Sequence, residues 1–216
     1  MQAVGIIADI VGSRDLKDRA AAQRAILEAF SGAEAAVPAV RPAWATVGDE
    51  FQLIAATWQD ALRIAVRVQA LLPGGLRLRF GIGVGQINTV EEGEVGPIQD
   101  GTAWFNARQA IETIEELQQR RDEVLTGFMA DDPELTAAIT AQLLFRDHIV
   151  ARMKARERRL FAALLAGATQ QDAARAERIS QAAVSQALHR SGAMALLDAD
   201  ATLETVQGDS AAKEES

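Results

Sequence analysis

Between positions 76 and 85 the chain alternates strictly, with Leu76, Leu78, Phe80, Ile82 and Val84 apolar and Arg77, Arg79, Gly81, Gly83 and Gly85 between them. Successive side chains of a strand point to opposite faces, so this segment reads as a central strand. One of its faces is core; the other is bare backbone and guanidinium. Glycine at alternate positions weakens a strand unless something approaches its backbone closely. Another backbone or a ligand would satisfy that requirement, and so would a helix packed tightly against the face.

Weaker signals on either side fill in the architecture. Residues 1–8 form an apolar run without helical period, a buried strand that ends at Asp9 and is broken by Gly12 and Ser13. A helix then carries Leu16, Ala20, Ile26, Leu27 and Phe30 at steps of three and four, and Gly32 and Pro38 lie beyond its end. Residues 44–47 and 51–55 flank Gly48 and Asp49, which predicts a β-hairpin with carboxylates at its tip. A second helix packs through Trp58, Leu62, Val66, Gln69 and Leu72, and Pro73, Gly74 and Gly75 stop it. After the glycine strand come an acidic, Gly-rich loop over 91–101, a helix over 103–120 and a last strand over 124–129.

The resulting order, strand, helix, strand, strand, helix, strand, is the ferredoxin-like βαββαβ pattern of an α/β (α+β) domain, with one further helix and strand appended. Asp132 caps and Pro133 opens the next helical region. No Gly or Pro occurs from 134 to 166, so one long helix or two butted ones follow. The expected division is a palm-like domain at 1–131, a linker helix at 132–151, a small all-α domain at 152–200 and a solvated, disordered tail at 208–216.

Composition narrows the class of protein. With 216 residues and no cysteine, the chain can bury a core, and it forms neither disulfides nor thiolate metal sites. No apolar run approaches the roughly 20 residues of a membrane span, and the N-terminus reads directly into a strand, so the expectation is a soluble, cytoplasmic protein without a membrane partner. The formal net charge of −8 is unevenly spread. Residues 151–192 hold eight basic and three acidic side chains, whereas residues 193–216 hold one and six, so a basic module lies within an acidic chain.

Asp9 at the end of the first strand would lie beside Asp49 and Glu50 at the hairpin tip if those strands neighbour one another. Such an all-oxygen set suits Mg²⁺ or Mn²⁺, which in turn binds nucleotide phosphates. Two such ions could activate an attacking oxygen and neutralise a leaving pyrophosphate. Strand-end and turn aspartates also serve as caps and loop formers, so spacing leaves both roles open. Arg14 and Arg19 stand close to this loop, and Arg77 and Arg79 share the glycine face; arginine forks suit phosphate, or they pair with surface acids.

The runs Ala8-Asp9-Ile10-Val11-Gly12-Ser13, Val47-Gly48-Asp49-Glu50-Phe51 and Arg79-Phe80-Gly81-Ile82-Gly83-Val84-Gly85 resemble the palm domain of class III nucleotidyl cyclases and diguanylate cyclases. A closer resemblance is to the SatD family. It is carried by Asp9-Ile10-Val11-Gly12-Ser13-Arg14-Asp15-Leu16, by Gly48-Asp49-Glu50-Phe51-Gln52, by the stretch from Asp100-Gly101 to Ala107-Arg108 and by a C-terminal helix-turn-helix. The cyclase likeness implies metal ions on Asp9 and Asp49, with Glu50 beside them. It also implies nucleotide contacts at Gly12, Ser13, Arg14, Gly48, Asp100 and Arg108. Cyclases place an asparagine four residues before the arginine that aligns with Arg108; here Trp104 stands there, with Asn106 close by. Without that donor the reacting phosphorus loses part of its electrostatic stabilisation. The implication is nucleotide binding without efficient cyclisation.

Residues 152–192 read as three helices. Residues 156–166 bury Leu160, Phe161, Leu164 and Leu165; Thr169 caps a helix over 170–176; Ser180 caps another over 181–190, with Ala182, Val184 and Leu188 as its apolar side. Glu177, Arg178 and Ile179 make the turn, with Ile179 plugging the core. The string from Thr169 through Leu188 looks like the helix-turn-helix of many bacterial regulators. On the last helix, Gln181, Ser185, Gln186, His189 and Arg190 offer base-edge donors, and Arg178 and Ser180 suit phosphates. His148 and His189, the only histidines, lack zinc-ligand spacing.

These features predict a DNA-binding transcriptional regulator, homodimeric to match paired half-sites, whose palm-like domain senses a nucleotide with a divalent metal. Rival expectations are an enzyme that uses Asp9 and Asp49 for nucleotidyl transfer, and an inert scaffold that carries the helix-turn-helix.

Overall fold

The computed structural model describes residues 3–46, 48–92 and 97–214, apart from the side chains of 89–92, 97–98 and 206–214. Val47 in the expected hairpin, residues 93–96 in the expected loop and residues 215–216 of the expected tail lie outside the described residues. The chain divides after His148 into two compact units.

In the first unit β1 (Ala3–Ile10), β2 (Arg41–Ala45), β3 (Glu50–Ala55), β4 (Leu78–Gly85) and β7 (Thr126–Met129) form one sheet in the order β2-β3-β1-β4-β7. β1 is antiparallel to both β3 and β4, and β7 is added parallel to β4. The four strands β4-β1-β3-β2, with α1 (Arg19–Ala36) after β1 and α2 (Trp58–Leu71) after β3, are the βαββαβ unit expected from the sequence.

Helix α1 begins where Asp18 caps it, its Oδ1 accepting from the Ala21 N–H at 2.9 Å. Leu16, expected within this helix, therefore precedes it. Ala22, Ile26, Ala29, Phe30 and Ala33 form its buried face, while Leu27, expected there as well, points outward. Ala8 is the register partner of both Phe51 and Phe80, so these three share a face. The Phe30 ring meets that face at centroid distances of 6.1 and 6.3 Å.

The opposite face carries the glycines, and a helix covers it. A β-carbon on Gly81 would collide with the Ala107 carbonyl oxygen, one on Gly83 with that of Ala103, and one on Gly85 with Thr102, all in α3 (Thr102–Gln118). Gly127 on β7 makes the same approach to Ala110. Among the occupants that the alternation allows, packed helix backbone is the one present, and Ile7 closes against Ala107 and Ile111 of the same helix.

The expected acidic loop is instead a two-stranded hairpin, β5 (Asn88–Glu92) with β6 (Pro97–Asp100). The strand propensity of Thr89, Val90 and Ile98 outweighs the acidic and glycine content between them. As expected, Asp132 opens α4 (Pro133–Arg152), its Oδ1 accepting from Glu134 and Leu135 N–H at 2.8 and 3.2 Å. Residues 133–148 of the expected linker helix belong to the first unit. There Asp147 Oδ2 accepts from both Leu125 and Thr126 N–H at 2.7 Å, and Asp147 and Arg146 are almost fully buried.

The second unit contains α5 (Ala155–Leu165), α6 (Gln170–Glu177), α7 (Gln181–Ser191) and α8 (Ala193–Glu214). Two helices, not one, follow Pro133: Glu157 Oε2 accepts the Lys154 N–H at 2.9 Å and starts α5 afresh. Thr169 and Ser180 cap α6 and α7, accepting from Asp172 and Ala183 N–H at 3.1 Å each. Between them Arg178 takes a left-handed conformation with φ of 54°, which turns the chain within three residues. Leu160, Phe161, Leu165, Val184 and Leu188 form the core; Ile179 is half-buried, and Ala187 turns inward where Ala182 was expected. Helix α8 runs through Gly208 to Glu214, the stretch expected as a solvated tail, because Ala211, Ala212, Lys213 and Glu214 are strong helix formers.

Candidate functional site

Beyond β1 the chain leaves the sheet at Gly12, whose φ of 69° suits glycine, and makes a single 3-10 turn over Ser13–Asp15 with the Asp15 N–H bonded to the Gly12 carbonyl at 2.9 Å. Facing this turn is the β2–β3 hairpin tip, where Gly48 has φ of 89° and its carbonyl accepts from Gln23 Nε2 at 3.4 Å. An open pocket of about 760 Å³ lies between them. Of the residues singled out from the sequence, Asp9, Gly12, Ser13, Arg14, Gly48 and Asp49 line it, together with Arg19 and Arg79. Asp15, Gln23 and Glu115 also line it; Asp15 belongs to the run that carries the SatD resemblance, whereas the sequence did not point to Gln23 or Glu115. Gln23 follows Arg19 by one helical turn, a signal that could have found it; Glu115 comes from α3 and reaches the pocket through tertiary packing alone.

Arg79 organises the floor. It is the register partner of Asp9 across β1 and β4, and its Nε donates to Asp9 Oδ1 at 2.8 Å. Its Nη1 lies 3.0 Å from Glu115 Oε1 and 3.4 Å from Gln118 Oε1. Burial pushes the Asp9 carboxyl above its ordinary range and outweighs the opposing pull of Arg79; Glu115 and Asp49 push it further the same way. Arg14 and Arg19 are exposed and make no hydrogen bond or ion pair with another described residue. Arg77, by contrast, is held outside the pocket by Asp122, with Nη1 at 2.8 Å from Oδ2.

Three expected contacts lie elsewhere. Glu50 is opposite Asp9 in the β1–β3 register, but its Oε2 accepts from Arg108 at 2.7 Å and its Oε1 from Gln52 at 3.1 Å. Glu50 and Arg108 therefore satisfy each other, because α3 brings the guanidinium over β3. Asp100 bonds the Gly101 N–H at 2.7 Å at the start of α3. Of the expected metal set of Asp9, Asp49 and Glu50, Asp9 is thus held by Arg79 and Glu50 by Arg108. Among the described residues no group of three or more His, Asp or Glu could hold a metal ion. As arranged, with guanidiniums on Asp9 and Glu50, these carboxylates are a poor donor set for a divalent cation, Mg²⁺ or Mn²⁺. The indole of Trp104 packs on Gly5 and edge-on to Trp44, and Asn106 is buried with Nδ2 donating to the Val84 carbonyl at 2.7 Å.

The sequence model of the SatD family matches residues 3–202. This chain belongs to the SatD family. The SatD match runs through the pocket, through α5, α6 and α7, and into α8. No curated protein matches the chain significantly. Two solved structures are similar to part of the SatD chain. One is the catalytic core of a rhodopsin-guanylyl cyclase with converted specificity, in complex with ATPαS, at 14% identity and a TM-score of 0.38. The other is the guanylate cyclase domain of RhGC from Catenaria anguillulae, in complex with GTP, at 12% and 0.38. Each alignment covers 52% of this chain and 72% of the solved one.

In the second unit of this SatD protein, Gln181, Gln186 and His189 are exposed on α7: Gln186 and His189 lie away from the buried Val184 and Leu188, Gln181 is at the first turn on their own side, and Ser185 is half-buried. Arg178 is exposed in the turn, and Ser180 serves as the cap of α7. Arg190, whose side chain stays largely exposed, donates from Nη2 to Oε1 of the buried Glu157 at 3.1 Å, which ties α7 to α5. Other cations of the basic segment are likewise paired, Arg159 with Glu177 through two bonds of 2.6 and 2.7 Å and Arg175 with Asp172. No helix among the described residues is long and apolar enough to cross a membrane.

Proposed function

We propose that this SatD protein is a DNA-binding regulator, acting as a homodimer, whose first unit binds a nucleotide and whose second unit contacts DNA. The observation that carries the reading is the pair Arg14 and Arg19, without an ionic partner among the described residues, at a pocket large enough for a nucleotide and bordered by the Gly12 and Gly48 turns. For the second unit, the support is the short turn between α6 and α7 and the polar exposed face of α7. A homodimer would present two α7 helices to paired half-sites, which a single helix cannot do.

Nucleotidyl transfer at Asp9 and Asp49 is the rival reading, favoured by the two carboxylates sharing one pocket. Against it stand the bond from Arg79 to Asp9 and the burial of Asn106 away from the pocket. A thermal-shift screen of nucleotides, followed by mobility shifts of genomic fragments with and without the stabilising nucleotide, tests the proposal. Stabilisation by a nucleotide that also changes DNA affinity is expected. Steady product formation from nucleoside triphosphates would favour the enzyme instead.

A further inference from the structure

We propose that the pocket takes nucleotides bearing a single phosphate group and takes them without a divalent cation, the Arg79 guanidinium standing where a metal would otherwise bridge carboxylates and phosphate. The inference rests on the reading of the first unit as nucleotide-binding and concerns the same site.

Arg79 is fixed from two sides, by Asp9 Oδ1 at 2.8 Å and by Glu115 Oε1 at 3.0 Å. At a nucleotide site Mg²⁺ is held by one or two uncommitted carboxylates, with waters and phosphate oxygens completing its shell. Asp9 is partnered by the guanidinium and Glu50 by Arg108, so of the expected carboxylates Asp49 alone has no partner among the described residues. A second cation beside a half-buried guanidinium would also be repelled by it. The pocket already has its positive charge in place.

Charge then selects the ligand. Four carboxylates, Asp9, Asp15, Asp49 and Glu115, line the pocket against the three guanidiniums of Arg14, Arg19 and Arg79. This lining has no net positive charge to spare, so repulsion grows with every phosphate added and a metal-free triphosphate chain is disfavoured most. A single phosphate carries about −1.5 to −2 at neutral pH, which Arg14 and Arg19 together match. Both guanidiniums are free to form bidentate contacts with it.

The test is calorimetric titration of the full-length protein with adenosine and guanosine monophosphates and with the corresponding triphosphates, each in EDTA and in Mg²⁺. At least one monophosphate should bind with the same Kd in both buffers and more tightly than its triphosphate. Arg14→Ala, at an exposed position, should weaken that binding by about tenfold or more. Arg79→Ala should make binding respond to Mg²⁺. Triphosphate binding that requires Mg²⁺, with monophosphates inert, would overturn the inference and leave the nucleotide-binding reading standing. Unchanged affinity in Arg14→Ala would overturn it as well. Failure of every nucleotide in both buffers would overturn the inference and that reading together.

Discussion

Gly83 of β4 lies so close to Ala103 of α3 that a β-carbon on the glycine would overlap the alanine's carbonyl oxygen. The contact is backbone to backbone, so no side-chain rotation relieves it. Gly83→Ala should therefore push α3 off the sheet and destabilise the first unit by about 2 kcal/mol or more. Chemical denaturation followed by tryptophan fluorescence reads this directly, because Trp44, Trp58 and Trp104 all belong to the first unit. The same substitution at Gly74, where a β-carbon meets nothing within 4 Å, is the control and should change little.

Asp147 fastens α4 to the start of β7 through two backbone N–H groups, and it pairs with the buried Arg146 at 2.7 Å. Asp147→Ala would leave that guanidinium buried without its partner, at a cost of about 3–5 kcal/mol. Asp147→Asn keeps an acceptor for one N–H and should lose less. Urea midpoints of the two variants give the comparison, and equal midpoints for wild type and Asp147→Ala would refute the assignment.

The carboxylates of the two units are shifted in opposite directions. Glu157 is held below its ordinary 4.5 by the Lys154 N–H and, against its burial, by Arg190; Glu177 is lowered chiefly by the Arg159 bond and Asp172 by Thr169. Depressed groups stabilise the fold above their ordinary values, and the contribution disappears as pH falls through the depressed ones. In the first unit Asp9 and Glu34 are raised, mainly by burial, so the folded state holds their protons more tightly and these two groups favour folding more as pH falls towards their ordinary values. On acidification below 4.5 the amides of α5–α7 should lose hydrogen-exchange protection before those of β1 and β3. The reverse order would contradict this balance.

On DNA, exposed residues of the second unit should divide by role. Gln186→Ala should weaken a specific operator by roughly 1 to 3 kcal/mol while sparing random sequence. Arg178→Ala should weaken all sequences alike and lower the salt slope by about one. Arg190→Ala should act through stability, because its guanidinium holds Glu157. Mobility shifts at two salt concentrations, with thermal melts, separate these effects. If the full chain ignores all fragments at low salt, the DNA reading fails.

Local pattern reaches a definite distance into this protein. The alternation in β4, the hairpin around Gly48 and Asp49, and the caps at Asp132, Thr169 and Ser180 are short-range features, each settled by residues within a few positions of one another. They made the βαββαβ order and the three C-terminal helices legible. The gathering of Asp9, Gly12, Arg14 and Asp49 could also be anticipated, because both loops leave the same end of neighbouring strands.

Which side chains satisfy one another was decided by the tertiary structure. Arg79 and Asp9 are 70 residues apart and meet only because the β1–β4 register sets them opposite. Glu50 shares that row with Asp9, yet α3, drawn onto the glycine face, delivers Arg108 to it from 58 positions away. A carboxylate's sequence neighbours say nothing of the cation that packing brings over it. Sequence alone thus determined the βαββαβ elements, their order and the loop that makes the pocket, but not the β5–β6 hairpin or α8. Register and helix docking decided which charges in it are spent and which remain free, since electrostatic pairing depends on distance in space and not along the chain.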